Sequence, residues 1–269
     1  GAIQDVNINS QTGSQLILAK QKNVNTSTGA IICYTNDFAD KWNFNVGVDA
    51  RYYKARHTYE ILDLFAGEYY VDPARLNVKA ENNSIANTAG WSEQHLGVGD
   101  VVQRDYDGVI VQDGVFAQLE YATQKVSAFV SGAFNCSHYW RYDRFYYDAQ
   151  NAKSQAANYL GGNVKLGANY NIDNHHNVFA NMGYISNVPK FKNGAFMSAN
   201  TSHAINPDAK NEQILSAELG YGYHNSWINL KLNGYITNWK DKAMFKKGSF
   251  ANKEQYVINM TGVDALHMG

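Results

Sequence analysis

The sequence predicts an all-β fold of long antiparallel up-and-down strands, part of a large transmembrane β-barrel. Three observations carry that expectation. Apolar and polar residues alternate with period two over several long stretches, as strands with two unlike faces require. These stretches run about 9–15 residues, whereas globular strands usually run about 5–6 and tilted bilayer-spanning strands about 9–11. The connections also sort by length, short turns alternating with long loops, as in barrels with short periplasmic turns and longer extracellular loops.

The elements follow in order. Residues 41–52 set Trp42, Phe44, Val46, Val48, Ala50 and Tyr52 against Lys41, Asn43, Asn45, Gly47, Asp49 and Arg51. Residues 126–140 alternate more loosely, with Phe129 on the otherwise polar face. Residues 162–173 place Val164, Leu166, Ala168, Tyr170 and Ile172 opposite Asn163, Lys165, Gly167, Asn169 and Asn171. Residues 176–184 repeat the looser pattern, with Phe179 as the exception. Residues 215–223 and 226–236 alternate again, through Leu215, Ala217, Leu219 and Tyr221, and then Ile228, Leu230, Leu232 and Ile236. Residues 37–41, 122–125, 173–174 and 224–225 have the composition of tight turns. Long connections are expected at 54–113, 141–158, 186–211 and 241–253, giving roughly nine to eleven strands in all.

Tyr52, Tyr53, Tyr139, Trp140, Tyr184, Tyr221, Tyr223, Tyr235 and Trp239 gather where such strands would cross the bilayer interfaces. There an aromatic ring meets lipid with its body and water with its polar edge. The polar faces carry Asn, Lys, Asp, Arg, Ser and Glu, a lining suited to a wet lumen.

Composition narrows the function classes. Only 3 prolines and 17% charged residues among 269 argue against a disordered chain. A formal net charge of −1 gives no basic footprint, so no nucleic-acid partner is expected. Two cysteines, Cys33 and Cys136, are too few for a disulfide scaffold or a multi-cysteine zinc module. No run of eighteen apolar residues is present for a transmembrane helix.

Several stretches resemble barrel strands of TonB-dependent outer-membrane receptors. They are Gly-Val-Phe-Ala-Gln-Leu-Glu-Tyr at 114–121, Gly-Gly-Asn-Val-Lys-Leu-Gly-Ala-Asn-Tyr at 161–170 and Asn-Val-Phe-Ala-Asn-Met-Gly-Tyr at 177–184. Asn-Pro-Asp-Ala-Lys-Asn-Glu-Gln at 206–213, Asn-Gly-Tyr-Ile-Thr-Asn-Trp-Lys-Asp at 233–241 and Gly-Val-Asp-Ala-Arg-Tyr-Tyr at 47–53 continue the series. The flavour is that of receptors from Bacteroidetes. The resemblance implies a bacterial outer-membrane location, contact with outer-membrane lipid, and uptake of a small nutrient solute. In the parent it further implies a barrel of about 22 strands, a plug domain and TonB as energising partners, with a surface lipoprotein as a further candidate partner. Residues 1–269 are then expected to be a partial barrel domain without the plug or the final strands. The alternative is a small complete outer-membrane barrel of roughly ten strands with an adhesive or structural role.

Within the receptor reading, Trp91, Arg104 and Tyr106 in the longest connection are the candidate ligand contacts. An exposed indole stacks on flat solutes, and long loops on a rigid scaffold are where binding groups sit. Asp49 and Arg51 share one strand face and are expected to line the lumen. No enzyme is expected and no catalytic residue is assigned. Gly220 and Gly222 lack the third glycine and helix of a nucleotide fingerprint. His175 and His176 have no further ligand at metal spacing, so no metal and no cofactor are expected.

Overall fold

The computed structural model describes residues 13–198, 200–249 and 255–269. Nine strands form one antiparallel sheet in chain order: β1 (Leu18–Phe38), β2 (Trp42–Asp63), β3 (Val101–Ala122), β4 (Val126–Asp143), β5 (Ala157–Asn171), β6 (His176–Asn187), β7 (Glu212–His224), β8 (Asn229–Ser249) and β9 (Gln255–Met268). Among the described residues β1 pairs only with β2 and β9 only with β8, so the sheet is open.

The hairpin turns are local chemistry. Ala39 and Asp40 take φ values of 52° and 55°, as a two-residue turn matched to strand twist demands. At two later tight turns an Asx side chain does the work. Asp173 Oδ1 accepts from the backbone N–H groups of His175 and His176, and Asn225 Oδ1 from those of Trp227 and Ile228. Thr123 Oγ1 closes the turn before β4 by pairing with the Val126 backbone.

The strands are longer than their alternation suggested, from 12 to 22 residues. β2 continues through Lys54 to Asp63 and β3 begins at Val101, so the first long connection is 64–100 rather than 54–113. The stretch 241–249, expected as loop, is strand in β8, while 250–254 lie outside the described residues. The connections 144–156 and 188–211 are loops as expected.

Cross-strand register fixes two unlike faces. One carries Val46, Val48, Val115, Val130, Phe134, Val164, Leu166, Met182, Leu215, Leu219 and Leu232, and each of these is exposed. On β2 this band runs ten residue steps from Trp42 to Tyr52. At about 3.3 Å per residue and a tilt of about 40°, it is about 25 Å deep. The other face carries Asn43, Asn45, Asp49, Gln118, Glu120, Asn163, Lys165, Asn181 and Glu218.

The exceptions on that polar face have a packing reason. The rings of Phe116, Phe129 and Phe179 lie over Gly47, Gly167 and Gly220 of the neighbouring strands, where any side chain would strike the ring. Each phenyl thereby covers glycine backbone that would otherwise be bare.

Parity also corrects the aromatic girdle. Tyr52, Trp140, Tyr184, Tyr221 and Tyr223 stand on the apolar face. Tyr53, Tyr139, Tyr235 and Trp239 stand on the polar one, since each is an odd number of residues from its strand's apolar series. Trp42, Tyr121 and Tyr170 complete the aromatic level at the short-turn end.

Candidate functional site

At the long-loop end the three described connections fold onto one another and onto the top of the polar face. Phe191, Ala195 and Phe196 of 188–211 pack on Tyr139, Ala157 and Tyr159 of β4 and β5. The 64–100 connection carries a 3₁₀ turn (Pro73–Asn77) and α1 (Ala89–Ser92). It packs Val78 and Ala86 against Phe145, Tyr146 and Tyr147 of 144–156. Backbone joins them too, Asp148 N–H donating to the Asn82 carbonyl at 3.0 Å.

The centre of this cap is polar. Arg141 and Asp143, both fully buried, form an ion pair of 2.7 Å. Asp143 Oδ1 accepts from the backbone N–H groups of Phe145 and Tyr146 at 2.8 and 2.6 Å, which sets the entry of the 144–156 loop. Arg141 donates to His203 Nδ1 at 3.1 Å, and His203 Nε2–H donates to the Asn151 carbonyl at 3.0 Å. His203 is therefore the neutral Nε2–H tautomer, and it stacks on Tyr147 with centroids 3.7 Å apart. One guanidinium thus ties 188–211 to 144–156 through a histidine.

Burial, reinforced by the neighbouring Arg141 charge, pushes the His203 imidazole down to about 4. The sign follows. Above about pH 6.5 the ring is neutral whether the cap is open or closed. Below that the open form takes a proton and the closed form resists until about pH 4, so closure weakens as pH falls through that window. Limited proteolysis of 188–211 is expected to speed up between pH 6.5 and 4 and then level off; His203→Gln should flatten the dependence. Burial likewise raises the Tyr146 phenol to about 12.

The sequence-named residues fall in different places. Tyr106 is on β3, not in the loop, and is 4% exposed. Its hydroxyl donates to Asn200 Oδ1 at 2.9 Å, while His57 stacks beside its ring and Arg141 lies 5.0 Å from its centroid. Arg104 is also on β3, in a bulge that begins where Gln103 takes a φ of 63°. Its guanidinium lies 4.2 Å over the Tyr59 ring and its Nε is buried without a hydrogen-bond partner. Trp91 belongs to the other cluster, with the Arg75 guanidinium 4.2 Å over its ring and Phe145 at 5.7 Å. Tyr106 and Arg104 are thus near neighbours, and Trp91 stands apart.

Asp49 and Arg51 do share the polar face, Asp49 covering Gly114 and Arg51 pairing across to Gln112. Sequence reasoning missed Arg141, Asp143 and His203. The one local signal was an Asp placed directly before Arg-Phe-Tyr-Tyr at 144–147, a side chain able to cap a turn into buried aromatics.

No family model matches the chain, and no curated protein matches it in sequence. Solved structures match its fold. The copper transporter OprC superposes with a TM-score of 0.65 at 14% identity, over 96% of this chain and 37% of its own. The FrpB iron transporter from Neisseria meningitidis, F3-3 variant, gives 0.55 at 10% identity, over 88% and 31%. Both are named as transporters, one of copper and one of iron. The chain spans about a third of the length of these structures.

Proposed function

We propose that this chain is barrel wall of an outer-membrane receptor for nutrient uptake, residues 1–269 being one partial barrel domain. The observation that carries the reading is the apolar band, about 25 Å deep, on one face of an antiparallel sheet whose long loops cap one end. A band of that depth suits a bilayer core, and the opposite polar face suits a wet lumen, with Asp49 and Arg51 in its lining. In this reading the plug domain and TonB energise transport in the parent protein. The cap is the solute-catching end, in a protein of the outer membrane of Bacteroidetes-like bacteria, and a surface lipoprotein is a candidate partner there.

Of the proposed contacts Arg104 is the charged one, and its Nε, like the Trp91 Nε1, has no hydrogen-bond partner. Trp91 and Tyr106 act alongside it by shaping the loops around the solute. The neighbours named for copper and iron make a metal ion or metal chelate the first solute class to test. Cells carrying the intact protein should accumulate the labelled solute, and lose uptake when the proton-motive force is collapsed. Arg104→Ala should weaken binding about tenfold, as loss of a charged hydrogen bond does. Uptake that persists without energy, or no uptake across metal chelates, vitamins, peptides and glycans, would overturn the reading.

A further inference from the structure

Directly beyond the apolar band the same outward face turns basic. On β2 the series Val46, Val48, Ala50, Tyr52 continues as Lys54 and Arg56, and β1 brings Lys22 and Lys20 alongside. Lys54 pairs with Asp107 at 3.0 Å, and Arg56 holds Asp105 through two hydrogen bonds of 2.9 and 2.8 Å. Arg144 reaches both carboxylates, at 3.3 and 2.7 Å. The acids lie underneath: the Asp105 and Asp107 side chains are 13% and 3% exposed, against 48% for Arg56 and 40% for Lys54. With Lys22 beside Glu60, five cations stand against three carboxylates and turn their charged ends outward. Between β1 and β2, Lys22, Lys54 and Arg56 border a groove of about 260 Å³ together with Glu60.

We propose that this belt seats the phosphate of a lipid headgroup from the leaflet on the long-loop side, an inference that rests on the membrane reading above. Charge complementarity selects an anion, and Arg56 and Arg144 are held rigidly by the buried acids with N–H groups to spare. Position selects a lipid over a free ion. Ala50, Val48 and Ile32 continue the same outward face below the belt, a surface for acyl chains that inorganic phosphate does not need. Trp140 and Tyr142 stand at the same height, with Lys153 5.3 Å over the Trp140 ring. That is the aromatic and basic mixture expected at a headgroup layer.

The test uses the full chain in detergent micelles, with native mass spectrometry of bound lipid. The probes are a phosphorylated lipid A, the same glycolipid stripped of phosphate, and inorganic phosphate as competitor. The expected result is selective retention of the phosphorylated lipid, not displaced by inorganic phosphate. Affinity should fall about fivefold for each lysine removed in Lys20→Gln, Lys22→Gln and Lys54→Gln. Arg56 and Arg144 remain to neutralise Asp105 and Asp107, so the fold is kept. Equal binding of both lipids, unchanged affinity in the triple variant, or displacement by inorganic phosphate would overturn the proposal. Flotation with vesicles reads the membrane premise separately. Protein that floats but shows no phosphate preference defeats this inference alone, and protein that never floats defeats both.

Discussion

Asp143→Ala is expected to open the loop cap and to be the most damaging single change in it, at about 3–5 kcal/mol. The substitution removes the ion-pair partner of a guanidinium with no exposure to solvent. It also strips the hydrogen bonds from the Phe145 and Tyr146 backbone N–H groups, which then stay buried and unsatisfied. A stranded Arg141 would pull His203 out of register, because the two share one contact. Proteolysis of 144–156 and 188–211 should rise together, and the unfolding midpoint should drop. Asp143→Asn, which keeps an acceptor for the two N–H groups, should lose less. Adding Arg141→Met to Asp143→Ala should restore part of the loss, since an apolar pair leaves no buried charge. If the single and double variants are equally damaged, the clamp is not what holds the loops.

Leu166→Arg is expected to cost about 2–4 kcal/mol, while Lys165→Gln one residue away should stay within about 0.5 kcal/mol. Leu166 is 46% exposed and sits mid-band on the apolar face of β5, between Val164 and Ala168. In a bilayer a guanidinium there meets hydrocarbon; in water the same position would tolerate it easily. Lys165 faces the other way, across from Ser131 and Gly183. Urea titration of folding into lipid vesicles measures both. A tolerated Leu166→Arg would mean that the apolar face does not contact lipid.

Much of the fold was legible because a strand with one apolar face and one polar face writes itself as alternation. Residues 41–52 and 162–173 kept the predicted parity over their full strand portions, and every short turn fell near its Asn, Asp or polar cluster. The strand extensions were not legible. From Lys54 to Asp63 and from Val101 to Asp107 the sheet has left the apolar band, so both faces carry polar residues and period two fades from the hydropathy. Arg104 and Tyr106 were therefore read as loop. Four of the nine proposed girdle residues failed for a different reason: Tyr53, Tyr139, Tyr235 and Trp239 have the wrong parity. The Arg141–Asp143–His203 clamp joins residues up to 62 apart in sequence, and no local pattern announces such a contact.

In the membrane reading one face of this sheet meets lipid and the other water. Spin labels placed singly at 163, 164, 165, 166, 168 and 169, in a Cys33→Ser, Cys136→Ser background of the intact protein in bilayers, separate the two faces. Collision rates with oxygen should peak at the even positions, and those with a water-soluble nickel chelate at the odd ones. Equal rates at all six positions, or the opposite phase, would contradict the account.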